Sequence, residues 1–229
     1  MVPDTFVCPL FSFGSAFLRR KRCIAATGHV LHAVLRRKCR ARRNGVAAPR
    51  SFACAAAWPA YLSMGSTMNA ANDTFHAALS KLLREVFDGP PGDEAYILNP
   101  GDAGLLRQLD GLDADGASSR PMPGRTTIAS HTNHVLYGLS LLNRWAAGEA
   151  NPWAGTDWDA AWKTTTVTAD AWRSLRDALR REAANWQRAL AARTEWDDVS
   201  AAGAISSVAH TAYHLGAIRQ ILAAQDKRA

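Results

Sequence analysis

Apolar residues recur three or four positions apart in four separate stretches of the chain, the spacing of a single helical face. In the first stretch Phe75, Leu79, Leu82, Leu83 and Val86 share a face; Asp73 or Thr74 can cap it, and Gly89-Pro90-Pro91-Gly92 ends it. The second opens at Thr126 or Thr127 and runs to about Ala147, before Gly148, with Ile128, Val135, Leu139, Leu142 and Ala146 inward. Thr168 can cap the third, which reaches about Ala192 and turns Trp172, Leu175, Leu179, Trp186 and Leu190 inward. The fourth spans roughly Ser200 to Ala224, with Ile205, Val208, Ala212, Leu215, Ile218 and Leu222.

A short helical turn at 102–110 and a polar loop at 113–125 separate the first two stretches. Residues 149–167 carry Trp153, Trp158 and Trp162, and they are too many for a simple hairpin between neighbouring helices. A connection of that length crosses over a bundle or covers a site. No segment alternates with the period of a strand, and no internal repeat stands out. The expected fold is all-α: a four-helix bundle with a long crossover connection between helices two and three.

Charge divides the chain more sharply than periodicity does. The 229 residues carry a net charge of +7. Residues 1–67 are net +10 with a single acid, Asp4, whereas residues 68–229 are net −3. All four cysteines (Cys8, Cys23, Cys39 and Cys54) lie in the basic head, and seven of the eight tryptophans lie in the body. The pattern predicts a basic extension at 1–67, unstructured or not natively translated if translation starts at Met68 or Met64, followed by a folded domain at 68–229. An Arg-rich, acid-poor transit peptide and a secretory signal with its apolar stretch at 52–62 are the alternatives for the head.

The basic runs Arg19-Arg20-Lys21-Arg22 and Arg36-Arg37-Lys38 then read as solvated charge, and the acidic body argues against nucleic acid as a partner. The cysteines form no CxxC pair, which gives no support to a zinc finger. No uninterrupted apolar run reaches the roughly 20 residues of a spanning helix, so no membrane association is expected.

Candidate chemistry lies in the histidines. His131 and His134 are three residues apart on the second helix, and His210 and His214 are four apart on the last. Side chains at i and i+4 share a helical face, which lets two imidazoles converge on one ion. A third imidazole from a facing helix completes a three-nitrogen site inside a bundle. Three ligands leave a coordination position open, the mark of a catalytic rather than a structural site. Ligation needs neutral imidazoles, so occupancy is expected to fall as pH drops through about 6.5. His210-Thr-Ala-Tyr-His214 lacks the Glu of a zincin-type peptidase. Lone histidines on apolar faces are otherwise core residues, and both readings of each pair stand at this point.

Thr127-Ile-Ala-Ser-His131-Thr-Asn-His134-Val, with Leu141-Leu-Asn-Arg-Trp-Ala-Ala-Gly148 after it, resembles the second helix of the DinB-like (damage-inducible B) superfamily. His210-Thr-Ala-Tyr-His214-Leu-Gly-Ala-Ile-Arg-Gln220 resembles the last helix of that family, and the resemblance covers roughly 70–225. It implies a four-helix bundle holding a divalent metal through one His of helix two and both His of the HxxxH. In that family the helix-two ligand falls seven residues after the Ser/Thr that opens the helix. Counting from Thr127 gives His134, with His131 as the alternate, outside the ligand set or lining the pocket.

The expected ligands are therefore His134, His210 and His214, and the expected metal is divalent, zinc or nickel. The resemblance implies a transferase or isomerase that depends on a low-molecular-weight thiol. A metal-hydroxide hydrolase and a non-catalytic metal-binding or dimerisation module are the alternatives. The expected partners are a small-molecule substrate, a cellular thiol and a second copy in a homodimer, in the cytoplasm.

Asp93, Glu94, Asp157 and Asp159 lie in loops and offer no paired general base. Arg144 and Arg219 are candidates for binding a substrate anion or for plain surface pairs. Tyr137, Tyr213 and the tryptophans Trp145, Trp153, Trp158 and Trp162 can wall a cavity or pack in the core.

Overall fold

The computed structural model describes residues 58–226, with side chains from residue 72 to residue 225. Residues 1–57 of the basic extension, with its four cysteines and its charge runs, lie outside the described residues, whereas residues 58–67 open a helix. The unit from Met68 to Ala229 holds the core and the site. Among the described residues there are seven helices and no strand. They are α1 (Trp58–Asp88), α2 (Leu105–Asp110), α3 (Ala114–Ser118), α4 (Ile128–Ala146), α5 (Trp158–Trp162), α6 (Ala169–Ala191) and α7 (Asp198–Asp226).

Local chemistry sets most of these boundaries. Thr127 is extended, and its hydroxyl accepts from the Ser130 amide to start α4. Gly148, at φ 100°, ends that helix, and the Glu149 amide returns to the Arg144 carbonyl. Thr168 caps α6 through the Ala171 amide. The first helix differs from expectation. It runs unbroken past Asp73 and Thr74 from Trp58, and Pro59 falls in its opening turn, where a missing amide hydrogen costs nothing. The connections hold short helices that weak periodicity hides: α3, capped by Asp113, and α5, capped by Asp157.

The core is built on α4, which packs against α5, α6 and α7, while α2 and α3 pack on α6. Leu83, Val86, Phe87, Leu105, Leu109, Ile128, Leu141, Leu179, Leu215, Ile218 and both Trp172 and Trp186 are essentially inaccessible. Two indoles also find polar partners: Trp186 donates to Ser207 Oγ across α6 and α7, and Trp172 donates to the Leu112 carbonyl. Two expected inward positions point outward. Ile205 is 54% exposed, and Ala204 takes the buried place beside it. Ala146 is exposed because α4 has reached its last turn.

The segment between α1 and α2 is held by a buried acid. Glu85 is 1% exposed, and its carboxylate accepts the backbone amides of Tyr96, Ile97 and Leu98 at 2.7–3.1 Å. Three convergent amides satisfy a buried charge that would otherwise be costly. Farther along, Gly104 packs backbone to backbone against the end of α1. A Cβ there would lie 2.4 Å from the Gly89 nitrogen and 2.6 Å from two Asp88 atoms.

Gly104→Ala is therefore expected to destabilise the protein by at least the 1–3 kcal/mol typical of overpacking, about that or more because backbone must move. Gly92→Ala, whose Cβ meets nothing within 4 Å, is the control and should be near neutral. Urea unfolding of the two variants checks this; equal midpoints would show that the crossing is loose.

Candidate metal centre

Two helices supply the site. On α4, residues 131, 134 and 138 recur at helical spacing and turn His131, His134 and Gly138 toward α7. On α7, His210 and His214 answer one turn apart. At Gly138 a Cβ would sit 3.8 Å from His210 Cε1, an ordinary van der Waals contact, so the helix surface there lies directly against that ring. All four imidazoles are at most 6% exposed.

His134, His210 and His214 bring their ring nitrogens within 4.8 Å of one another, and three histidines so placed can hold a metal ion. The three Nε2 atoms converge: His210 Nε2 lies 3.2 Å from that of His134 and 3.0 Å from that of His214. Nitrogens 2.0–2.1 Å from a tetrahedral zinc stand about 3.3 Å apart. Two of the three separations are therefore within a few tenths of an ångström of that spacing. His134 Nδ1 is buried without a hydrogen-bond partner. Among the described residues no carboxylate or thiolate joins the group.

His131 is placed differently. Its Nδ1 meets His214 Nδ1 at 2.8 Å, on the side of that ring away from the cluster, and its Nε2 meets Thr126 Oγ1 at 2.9 Å. Thr126 precedes the cap of α4, where no spacing rule links it to a histidine five residues on.

The connection between α4 and α6 lies against the site. Asn133 Nδ2 donates to the Ala161 carbonyl and Ser130 Oγ to the Thr164 carbonyl, which fixes α5 on α4. Trp162 then stacks on His134 with centroids 4.2 Å apart and planes 23° from parallel. It also meets His131 edge-on at 5.2 Å, and Trp158 packs beside His134 and Tyr137. Periodicity alone cannot show which tryptophan touches which imidazole.

Other candidates are placed elsewhere. Arg144 pairs with Glu149, and Arg219 binds Asp102 and the Ala103 carbonyl, so both guanidinium groups already have carboxylate partners. Glu94 pairs with Lys81, and Asp157 caps α5. Tyr213 is 62% exposed, with its ring edge-on to His214. Trp145 packs toward Trp186 under the Arg193 guanidinium, and Trp153 is half-buried.

Burial sets the protonation of the cluster. Loss of solvent pushes His131 and His210 down to about 4. It takes His134 to about 3, with smaller contributions from His210 and His131. His214 is driven down as well, by burial first and then by His210, His134 and His131. At neutral pH all four rings are uncharged and their lone pairs are available.

No family model, curated protein or solved structure matches the chain.

The depressed values move the expected acid window. Within the fold, protons compete with a metal only as pH approaches 4, not at 6.5. The unfolded chain binds protons near 6.5, and the folded protein does not. The histidine contribution to stability is therefore complete above about 6.5 and is lost as pH falls from there toward 4. Urea midpoints of the metal-free protein should be flat from pH 7 to 8 and should fall between 6.5 and 4.5. The quadruple variant lacking His131, His134, His210 and His214 should lose that dependence; if it keeps the full slope, other groups cause it.

Proposed function

We propose that the body of the chain is a DinB-like four-helix bundle in which α1, α4, α6 and α7 are the four helices and residues 149–167 form the crossover. It would hold one divalent metal through His134, His210 and His214 and present an open coordination position to a small cellular thiol. The observation that carries this reading is that His210 Nε2 lies 3.2 Å from His134 Nε2 and 3.0 Å from His214 Nε2 in a buried cluster, at the positions of the residues that resemble the family's ligands.

Each part of the site then has a task. The three imidazoles bind without neutralising the ion, so a dipositive centre held by neutral ligands favours an anionic fourth partner. A metal bound there supplies one piece of chemistry, ionising a coordinated thiol at neutral pH. That makes a separate carboxylate base unnecessary, in keeping with a cluster that has no acidic member among the described residues. Trp158, Trp162 and Tyr137 form an aromatic wall next to His134, suited to an apolar electrophile. Zinc and nickel both suit three imidazoles.

Elemental analysis of the purified protein, after loading with one equivalent of zinc or nickel, should give one metal per chain. His210→Ala and His214→Ala should empty the site, and His134→Ala should do so more than His131→Ala. In the cobalt-loaded protein, adding glutathione or another cellular thiol should raise a near-ultraviolet charge-transfer band. A stoichiometric cobalt protein whose spectrum ignores every thiol would leave the metal site standing and remove the transferase reading.

A further inference from the structure

The contacts of His131 point to a task beyond ligation. From solvent inward, Thr126 Oγ1, the His131 ring and the His214 ring form a continuous chain of hydrogen bonds of 2.9 and 2.8 Å, which ends at His214 Nε2 in the cluster. Thr126 is exposed, whereas both rings are buried. Each neutral imidazole carries one proton, so the chain can run in two directions only.

In one direction the threonine hydroxyl donates to His131 Nε2, and His131 Nδ1–H donates to His214 Nδ1. His214 must then carry its proton on Nε2, pointed at His210, and cannot bind a metal. In the other direction His214 Nδ1–H donates to His131 Nδ1, and His131 Nε2–H donates to the threonine oxygen. His214 Nε2 then holds a free lone pair aimed into the cluster. A hydroxyl is the one terminus that serves both directions, since it rotates to donate or to accept.

We infer that Thr126 and His131 are positioning residues that hold His214 as its Nδ1–H tautomer and aim its Nε2 at the metal. The inference rests on the metal reading above and adds to it the outer partners of one ligand. His131 stands outside the converging group: its Nδ1 meets His214 Nδ1 at 2.8 Å, a hydrogen-bonding contact, whereas the nitrogens placed to hold an ion belong to His134, His210 and His214. The role matches a general pattern: a ligating histidine gives its second N–H to a fixed acceptor, and loss of that acceptor weakens metal binding about 10–100-fold.

The test measures zinc affinity by chelator competition and reads the His214 tautomer from side-chain nitrogen shifts of the zinc-loaded protein. His131→Leu, which removes the acceptor, should bind zinc with the same stoichiometry but about 10–100-fold more weakly. His131→Asn, whose amide oxygen lies close to the position of Nδ1, should recover most of the loss. Thr126→Val is exposed and poses no folding risk. It should weaken binding several-fold, and Thr126→Ser should not. A wild-type protein that takes up no zinc overturns the metal reading and this inference with it. Stoichiometric uptake by the wild type, with unchanged affinity in His131→Leu and Thr126→Val, overturns the positioning role alone. Equal losses in His131→Asn and His131→Leu would assign the effect to packing and also overturn it.

Discussion

The packing of α4 on α7 around four uncharged imidazoles is the constraint on which the site depends. Apolar burial accompanies that packing: Val135, Leu139 and Leu142 on α4 and Val208, Leu215 and Ile218 on α7 are all buried. The histidines enter that interface as polar groups with few outside partners, so they must satisfy one another. They do so by lining up nitrogen against nitrogen, an arrangement that tolerates a cation better than it tolerates protons. Burial that keeps the rings neutral also keeps them competent as ligands. One physical cause, removal from water, therefore underlies both the acid sensitivity and the competence of the rings as ligands.

The connection between α4 and α6 extends the same logic outward. Its backbone is fixed by two α4 side chains, Asn133 and Ser130, which lie next to His134 and His131 in sequence. Because they leave the same turns of the helix as the histidines, the pose of Trp162 is tied to the geometry of the cluster. A shift of α5 would move the indole that stacks on His134. The aromatic wall and the ligand set therefore form one mechanical unit, although 28 residues separate Asn133 from the carbonyl it holds.

Much of this was legible in the sequence because it rests on local rules. The caps at Thr127 and Thr168, the stop at Gly148 and the burial of Leu79, Leu83, Val86, Trp172, Leu179 and Trp186 follow from spacing and side-chain chemistry. Histidine spacing singled out the two pairs, and the choice of His134 over His131 rested on the family resemblance. Illegible parts are those fixed by contact between distant segments. Nothing in the sequence around Glu85 announces that its carboxylate collects three amides from residues 96–98. Ile205 and Ala204 have adjacent places on α7, and only the neighbouring helices decide which one is covered. The helix start at Trp58 was hidden for a different reason: Asp73 and Thr74 are good caps, yet a cap residue acts only where the chain before it leaves the helix.

His131 shows why a histidine count cannot by itself define a ligand set. On α4 it lies three residues from His134, so both rings reach the same interface, and residue type offers no choice between them. The difference arises at their partners. His134 presents Nε2 to His210, whereas His131 presents Nδ1 to the far nitrogen of His214 and hands its other nitrogen to Thr126. An imidazole has two nitrogens with opposite roles when neutral, one donor and one acceptor. In a buried cluster each contact therefore fixes the proton on the next ring. Thr126 sits at the solvent end of that sequence and is the only member that can reverse its role by rotation. Because that hydroxyl accepts either order, the protons along Thr126, His131 and His214 shift together, and whether His214 faces the cluster with a proton or a lone pair is coupled through His131 to the protein surface.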